Sequence, residues 1–163
     1  MQARLADPND VDSFRRSVLD QKERETHASI CALHRDLLAL RRSDPVLGRR
    51  PCRIDGAVLS DDAWLLRFFA GNAERRGDDR LLIVNLGRDL VLDPMPEPLM
   101  APGENQVWRL LWSSEAPAYG GAGISPLDLD KKPFIPGHAA IILAPVQPDL
   151  ETTLGRDDGE AIA

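Results

Sequence analysis

The sequence has few of the residues and segments that mark a specialised class of protein. It has two cysteines, Cys31 and Cys52, which are too few for a disulfide framework. The residues that follow Met1 lack the apolar core of a secretory signal, and no apolar run approaches the roughly 18 residues of a membrane span. The sequence therefore predicts a protein of a reducing compartment, and we expect it in the cytoplasm without a membrane partner.

Basic surface patches are equally scarce. The formal net charge is −6, and no stripe of Lys or Arg with interleaved aromatic residues is present to neutralise phosphates. The sequence therefore predicts no nucleic-acid partner. Gly120-Gly121 is not followed by the GK[ST] or G-x-G-x-x-G pattern of a phosphate-binding loop, so the sequence predicts no cofactor.

The length sets a further bound. With 163 residues, 43% of them hydrophobic, the chain can form one compact domain with a core, or a smaller domain with an extra helix. A complete (β/α)₈ barrel needs about 250 residues and cannot be contained in it.

The first 50 residues predict a short helical turn over about 11–16 and then one long helix. Asp20 is a candidate N-cap with Glu23 three residues later, and Asp44-Pro45 ends the pattern, which predicts a helix from about Gln21 to Arg42. One apolar face recurs at spacings of three and four residues: Ile30, Leu33, Leu37 and Leu40.

Short apolar runs separated by Pro and Gly follow, which is typical of antiparallel strands. The predicted strands are 57–59, 64–69, 80–86, 107–112 and 139–143. Residues 70–79 predict a hairpin loop, and the prolines of 93–103 predict an extended surface connection. The predicted fold is mainly β: a small antiparallel two-sheet sandwich preceded by one long helix. We expect three parts, residues 1–50, 51–146 and a flexible acidic tail over 147–163.

His27, Cys31 and His34 lie at positions i, i+4 and i+7 of the predicted helix, which raises the question of a zinc site. Residues seven apart are about 10.5 Å apart along the axis, so one ion could hardly reach all three. Ile30 and Leu37 flank the same stripe, so packing is the favoured interpretation. No metal site is predicted.

Trp112, Glu115 and Tyr119 are the candidate substrate-binding group. Aromatic faces stack on sugar rings, and a nearby carboxylate accepts hydrogen bonds from hydroxyls. The alternative is structural: Trp108, Leu110 and Trp112 alternate along one strand face and would pack together, while Tyr119 begins a glycine turn. Both interpretations stay open at the level of sequence.

Adjacent acidic pairs are the remaining candidates for chemistry: Asp61-Asp62, Asp78-Asp79 and Asp157-Asp158. Neighbours on a strand point to opposite faces, so such a pair cannot easily flank one bond. We interpret these residues as solvated turn acids and assign no catalytic residue.

Several segments, taken in order, carry a family resemblance. They are Asp7-Pro8-Asn9-Asp10 with Phe14, the helix ending Leu40-Arg41-Arg42, Asp55-Gly56-Ala57-Val58-Leu59, Leu65-Leu66-Arg67-Phe68-Phe69, Asn85-Leu86-Gly87, and Trp112-Ser113-Ser114-Glu115 with Tyr119-Gly120-Gly121. In these segments the chain resembles the C-terminal part of α-amylase-family glycoside hydrolases, and within that family the malto-oligosyltrehalose trehalohydrolases. The resemblance implies that the predicted long helix is the last helix of a catalytic barrel and that the β-domain follows it.

The parent reaction implied by the resemblance is hydrolysis of the α-1,4 bond next to a terminal trehalose unit, by a nucleophilic Asp and an acid/base Glu. The motifs that carry those carboxylates are not in this sequence. Three hypotheses follow. The chain is a non-catalytic part that braces a barrel, with a helix face that otherwise self-associates; or an independent α-glucan-binding module; or a subunit that completes a separately encoded barrel.

Overall fold

In a computed structural model, the described residues of the N-terminal part are largely helical, and the regular structure after them consists mainly of antiparallel strands. The structure describes residues 7, 9–48, 53–71, 77–92, 97–123 and 134–148. Cys52, Asp157-Asp158, the tail beyond Pro148 and parts of the predicted connections 70–79 and 93–103 lie outside the described residues.

Helix α1 spans Val11–Ser17 and agrees with the predicted helical turn. Its N-cap is Asp10, whose carboxylate accepts a hydrogen bond from the Asp12 N–H at 3.2 Å. An Asp at this position satisfies one of the N–H groups that have no partner within the helix.

The predicted single long helix is not confirmed. It is divided into α2, Glu23–Thr26, and α3, Ala28–Ser43, by a turn at His27, whose φ of −111° and ψ of 38° leave the helical region. Thr and His are weak helix formers, and the His27 side chain makes no capping hydrogen bond to α3. Asp20 accepts a hydrogen bond from the Lys22 N–H at 2.9 Å, but it is not the N-cap of α2, since the N-cap is Lys22 and no side chain caps this helix.

Helix α3 ends at a tight polar turn. Asp44 is its C-cap, and the Asp44 carboxylate accepts hydrogen bonds from the N–H groups of Val46 and Leu47 at 2.9 and 2.8 Å. Such a turn replaces the next helical turn with side-chain hydrogen bonds. Val46 is buried directly after it, which fixes the point where the chain leaves the helix.

Within the described residues, seven strands follow the helices. They are β1 Arg53–Ser60, β2 Ala63–Phe69, β3 Arg80–Asn85, β4 Leu90–Val91, β5 Val107–Ser113, β6 Phe134–Ile135 and β7 Ala139–Val146. The five longer strands are the five that the sequence predicts, with boundaries shifted by a few residues. The two-residue strands β4 and β6 were not predicted, because two residues are too short for a periodic pattern.

The five long strands form one sheet in the order β1-β2-β3-β7-β5, and every pairing is antiparallel. Strands β4 and β6 pair with each other in a separate antiparallel ribbon. The mainly antiparallel fold is therefore confirmed. A sandwich of two sheets is not confirmed, since the second sheet within the described residues has only two strands of two residues each.

The core lies against one face of the five-stranded sheet. Alternate residues of the three central strands supply it: Leu65, Leu81, Ile83, Ile141 and Leu143. Ile135 of the β4–β6 ribbon and Met100 cover this face, and Trp108 of β5 completes the cluster. Burial of alternate side chains is what the period of two in a β-strand predicts.

The predicted extended connection over 93–103 is wrong in its second half. Residues Pro98–Met100 form a short 3₁₀ turn, and the Glu97 carboxylate caps it by accepting a hydrogen bond from the Leu99 N–H at 2.9 Å. Met100 is buried, and its carbonyl accepts a hydrogen bond from the Trp108 indole at 2.7 Å. The apolar side chain of Met100 favours burial over an exposed course.

Candidate functional site at the end of strand β5

A β-bulge determines where the Trp112 side chain lies. In the ladder between β5 and β7, Leu110 pairs with Leu143 but Trp112 pairs with Ile142, so Leu111 is an extra residue. Paired residues share a face of a sheet, and Leu143 and Ile142 are on opposite faces. Trp112 is therefore on the face opposite the core, and the predicted alternation of Trp108, Leu110 and Trp112 on one face is wrong. One unpaired residue shifts the alternation by one position. Every side chain after it in the strand therefore lies on the face opposite to the one that counting along the sequence gives.

The two serines after Trp112 attach the end of β5 to its neighbours. Ser114 exchanges two hydrogen bonds with Ala140, donating its N–H to the carbonyl and accepting the Ala140 N–H at its hydroxyl, both at 2.9 Å. The Ser113 hydroxyl accepts a hydrogen bond from the Glu115 N–H at 3.0 Å. The polar residues of this segment therefore hold the backbone in place.

Glu115 and the glycines form a compact loop. Gly120 has a φ of 89° and caps the 3₁₀ turn Pro117–Tyr119, a conformation that glycine adopts without strain. A side chain at Gly121 would collide with the backbone of Glu115, and the Gly123 N–H donates to the Glu115 carbonyl at 2.7 Å. The loop fixes the Tyr119 backbone on one side of the strand end.

Trp112 and Tyr119 meet as a tilted aromatic pair. Their ring centroids lie 6.1 Å apart with an interplanar angle of 36°, within the range of favourable aromatic pairs. The Trp112 indole N–H donates to the Tyr119 hydroxyl at 3.2 Å. The sequence-predicted site residues Trp112 and Tyr119 are thus brought together, and both are partly buried.

Tyr119 also reaches the N-terminal helices. Its hydroxyl donates to a carboxylate oxygen of Asp36 in α3 at 2.6 Å, a short charge-assisted hydrogen bond. The bond to Asp36 is the largest cause that raises the pKa of Tyr119, because it stabilises the protonated phenol, and partial desolvation adds to it. Asp36 was not recognised in the sequence, because no local pattern relates it to a residue 83 positions away.

A second group of charged residues was misinterpreted from the sequence. Asp79 is buried rather than a solvated turn acid, and Arg67 of β2 forms an ion pair with it at 2.9 Å. Arg67 also donates to the carbonyls of Leu99 and Ala101 at 3.0 and 2.7 Å. A buried charge is tolerated only when it is paired and hydrogen-bonded, as both partners are here. The sequence signal for this ion pair was Arg67 itself, a charged residue within the otherwise apolar strand β2.

Arg80 links the sheet to the end of α3. Its guanidinium contacts the Asp44 carboxylate at 2.9 Å and the Asp78 carboxylate at 2.7 Å. Burial alone would raise the pKa of Asp44, but the N–H groups of Leu47 and Val46 together with Arg80 lower it below its ordinary value. Asp44 therefore stays ionised and caps the helix while it binds the sheet.

Asn85 explains the Asn-Leu-Gly ending of β3. Its buried side-chain amide donates to the carbonyls of Arg88, Ile135 and Pro136, and its oxygen accepts the Gly87 N–H at 3.0 Å. These bonds join the end of β3 to the β4–β6 ribbon. The motif is therefore structural, since the two N–H donors and the oxygen of a buried amide all need partners.

The histidines and the cysteine considered for zinc do not form a site. His27 lies at the break between α2 and α3, and the Nδ1 of His34 is 2.9 Å from the Ile30 carbonyl of its own helix. Across the part of the chain that the structure describes, no three His, Cys, Asp or Glu residues are grouped to hold a metal ion. Within the same residues no helix has the length and apolar character needed to cross a membrane.

The helical segment 11–43 exposes many large apolar side chains. None of its residues is fully buried. Those more than half exposed are Val11, Phe14, Val18, Leu19, Ile30 and Leu38. Leu33, Leu37 and Leu40 of the predicted apolar face are partly buried, whereas Ile30 is 53% exposed. Exposed apolar side chains on one segment of this size indicate an interaction surface.

Comparison with known proteins gives relatives that are much longer. The chain is 38% identical over 72 residues to malto-oligosyltrehalose trehalohydrolase of Rhizobium sp. strain M-11, covering 43% of this chain and 12% of that protein. It is 39% identical over 87 residues to the protein of the same name from Deinococcus radiodurans, covering 52% of this chain and 14% of that protein. The matched regions thus span less than a sixth of either relative. No solved structure matches the chain.

A protein-family model matches the β-domain. The model described as "Domain of unknown function (DUF3459)" matches residues 51–142, more than half of the chain. The match begins just before β1 and ends within β7, so it contains the bulge and the Tyr-Gly-Gly loop but not helices α1 to α3. The chain therefore belongs to the DUF3459 family, whose domain occurs at the C-terminus of α-amylase-family enzymes.

Proposed function

We propose that this chain is the non-catalytic C-terminal part of an α-amylase-family glycoside hydrolase resembling malto-oligosyltrehalose trehalohydrolase, and that it braces the catalytic barrel and one side of its cleft. Family membership and the much greater length of the relatives support this proposal. The parent reaction would be hydrolysis of the α-1,4 glucosidic bond that releases trehalose, in the cytoplasm.

The observation that carries the proposal is the exposed apolar surface of the helical segment 11–43. Phe14 is 70% and Leu19 80% exposed, although each is large enough to contribute about 2 kcal/mol when buried. The core of the β-domain, on one face of its sheet, does not include Phe14 or Leu19. These side chains would therefore need a partner outside the β-domain. A barrel whose outer helices are apolar where they meet segment 11–43 would bury them.

The proposed division of the chain follows from this. Residues 1–50 would belong structurally to the barrel and residues 51–146 would form the β-domain, while the tail predicted over 147–163 lies outside the described residues beyond Pro148. No catalytic carboxylate is assigned to any of these parts, so the chain alone should be inactive.

Association with a barrel tests the proposal. The Deinococcus radiodurans trehalohydrolase, truncated to remove the region similar to this chain, would be mixed with the chain and followed by sedimentation velocity. We expect a one-to-one complex, and we expect Phe14→Ser with Leu19→Ser to weaken it at least tenfold, because about 3 kcal/mol of apolar burial is lost. Leu86→Ser, at an exposed apolar residue in the turn after β3, is the matched control and should leave binding unchanged.

Sedimentation of the chain alone gives a second measure. Without a barrel the exposed apolar surface of segment 11–43 should cause weak self-association that the double variant abolishes and Leu86→Ser does not. A chain that stays monomeric at high concentration and binds no barrel would contradict the proposal.

An α-glucan-binding module is the competing function, and one observation favours it. Trp112 and Tyr119 form an aromatic pair that remains partly exposed, next to Glu115. Titration with maltooligosaccharides, followed by tryptophan fluorescence, would decide between the two. An unchanged signal at millimolar sugar would exclude the glucan-binding role of these residues.

A subunit that completes a separately encoded barrel is a variant of the same proposal. Translation of the DNA on both sides of the gene, in all frames, would show whether a barrel is encoded next to it. The two variants predict the same complex but different gene organisation.

A further inference from the structure

Helix α3 has two polar attachments to the β-domain within the described residues. At its C-terminal end, Asp44 binds Arg80 of β3 at 2.9 Å. Eight residues earlier, Asp36 accepts a hydrogen bond from Tyr119 at 2.6 Å. With a rise of 1.5 Å per residue, the two attachments are about 12 Å apart along the helix axis. One attachment alone would leave the helix free to pivot, whereas two fix the direction of its axis.

Apolar packing contributes little to this orientation. No residue of α3 is fully buried, and Ile30 and Leu38 are more than half exposed. Helices in proteins take most of their stability from a packed apolar face, and this one has only a partial face. The polar attachments therefore add directional constraints that this partial apolar face does not supply.

Several neighbouring groups position the Tyr119 hydroxyl for the second attachment. The Tyr119 hydroxyl uses both of its hydrogen-bonding roles, accepting from Trp112 and donating to Asp36. Trp112 reaches it because the bulge at Leu111 turns the indole away from the core face. The loop packed against Glu115 through Gly121 holds the Tyr119 backbone. The bulge, the aromatic pair and the glycine loop of this segment thus all position one hydroxyl group.

We propose that the hydrogen-bond chain Trp112–Tyr119–Asp36 is an orientation latch, which fixes the direction of α3 relative to the β-sheet so that the exposed helix face is presented at a constant angle. Tyr119 is the positioning residue and Asp36 is its acceptor. That the presented face meets a catalytic barrel rests on the proposed function; the latch itself is a contact within this chain.

Titration of Tyr119 is the first test. The chain has one tyrosine, so its ultraviolet difference spectrum reports this residue alone. The Asp36 carboxylate is the charged group bonded to the phenol, and it raises the pKa of Tyr119 above the ordinary value near 10. In Asp36→Asn, which keeps an acceptor but removes the charge, we expect the midpoint to move to lower pH. An identical midpoint in both proteins would overturn the latch.

Hydrogen exchange is the second test, because it separates helix orientation from general stability. In Tyr119→Phe and Asp36→Ala we expect the amides of α3 to exchange about fivefold faster, as expected for one lost hydrogen bond, with β3 and β7 unchanged. Arg35→Ala, an exposed neighbour on the same helix, is the matched control and should leave both regions unchanged.

Two hydrogen-exchange results would also overturn the proposal. One is unchanged exchange in α3 of Tyr119→Phe; the other is equal acceleration in helix and sheet, which would mean a general loss of stability. Asp36 is exposed, so Asp36→Ala and Asp36→Asn should fold even if Tyr119→Phe does not. All of these measurements use the chain alone, so a failure to bind a barrel would count against the proposed function and not against the latch.

Discussion

The sheet and the helices of this chain differ in how far they bury their large apolar side chains. The central strands bury Leu81, Ile83 and Leu143 completely, under a cover that the same domain supplies. Helices α1 to α3 carry apolar side chains of similar size but bury none of them fully. The difference is the basis for the proposal that the β-domain folds by itself and that the helical segment packs against a surface outside it.

Leu81 and Leu38 should give the largest contrast between the two regions. Leu81→Ala leaves a cavity in the core and should lower the free energy of unfolding by about 3 kcal/mol. Leu38 is 51% exposed, so Leu38→Ala should cost less than about 0.5 kcal/mol. Urea unfolding followed by tryptophan fluorescence measures both. Equal costs would show that the helices have a core of their own and would remove the contrast.

The buried ion pair of the sheet can be compared with an exposed pair of the helices. Arg67→Met leaves the Asp79 carboxylate buried without its partner and should cost about 2–3 kcal/mol. Arg15 and Asp12 of α1 form an ion pair at 3.3 Å with both side chains exposed, and Arg15→Met should cost about 0.3 kcal/mol or less. Thermal unfolding gives both values. A cost for Arg67→Met as small as that of Arg15→Met would contradict the structural role assigned to Arg67.

The contribution of Asp44, at the junction between α3 and the sheet, to the free energy of unfolding should decrease at acid pH. The pKa of Asp44 is lowered in the folded chain, so its contribution is present above the unfolded value near 4 and is lost as the pH falls through the lower folded value. Asp44→Asn should therefore cost about 1 kcal/mol at neutral pH and progressively less below about pH 4. Unfolding measured from neutral pH to about pH 3 tests this sign. A difference that grows as the pH falls would contradict it.

Local patterns predict the elements of this fold but not the contacts between distant ones. Alternating apolar residues such as Leu81, Ile83 and Ile141 identify the strands, and the absence of helices between them indicates antiparallel pairing. The bulge at Leu111 depends on the register against β7, so alternation within β5 alone assigns Trp112 to the wrong face. The helix break at His27 is a change in backbone angles, and the apolar spacing from Ile30 to Leu40 gives no sign of it.

The candidate site was predicted in part. Trp112 and Tyr119 do come together, as their grouping in the sequence suggested. Their partner Asp36 lies on a different element, and the burial of Asp79 requires Arg67 from a neighbouring strand. Such pairs are determined by tertiary packing, for which a single sequence has no local signal.

The bulge at Leu111 decides which face of the sheet the residues after it occupy, at the cost of one unpaired residue. If Leu111 were paired with Ile142, Trp112 would pair with Ile141 and place its indole on the core face beside Trp108, away from Tyr119. Such a shift of register would keep the sheet paired and remove the contact with α3. Deletion of Leu111, in contrast, would leave Trp112 opposite Ile142 and on its present face, so in related genes β5 should tolerate the loss of one residue at this position.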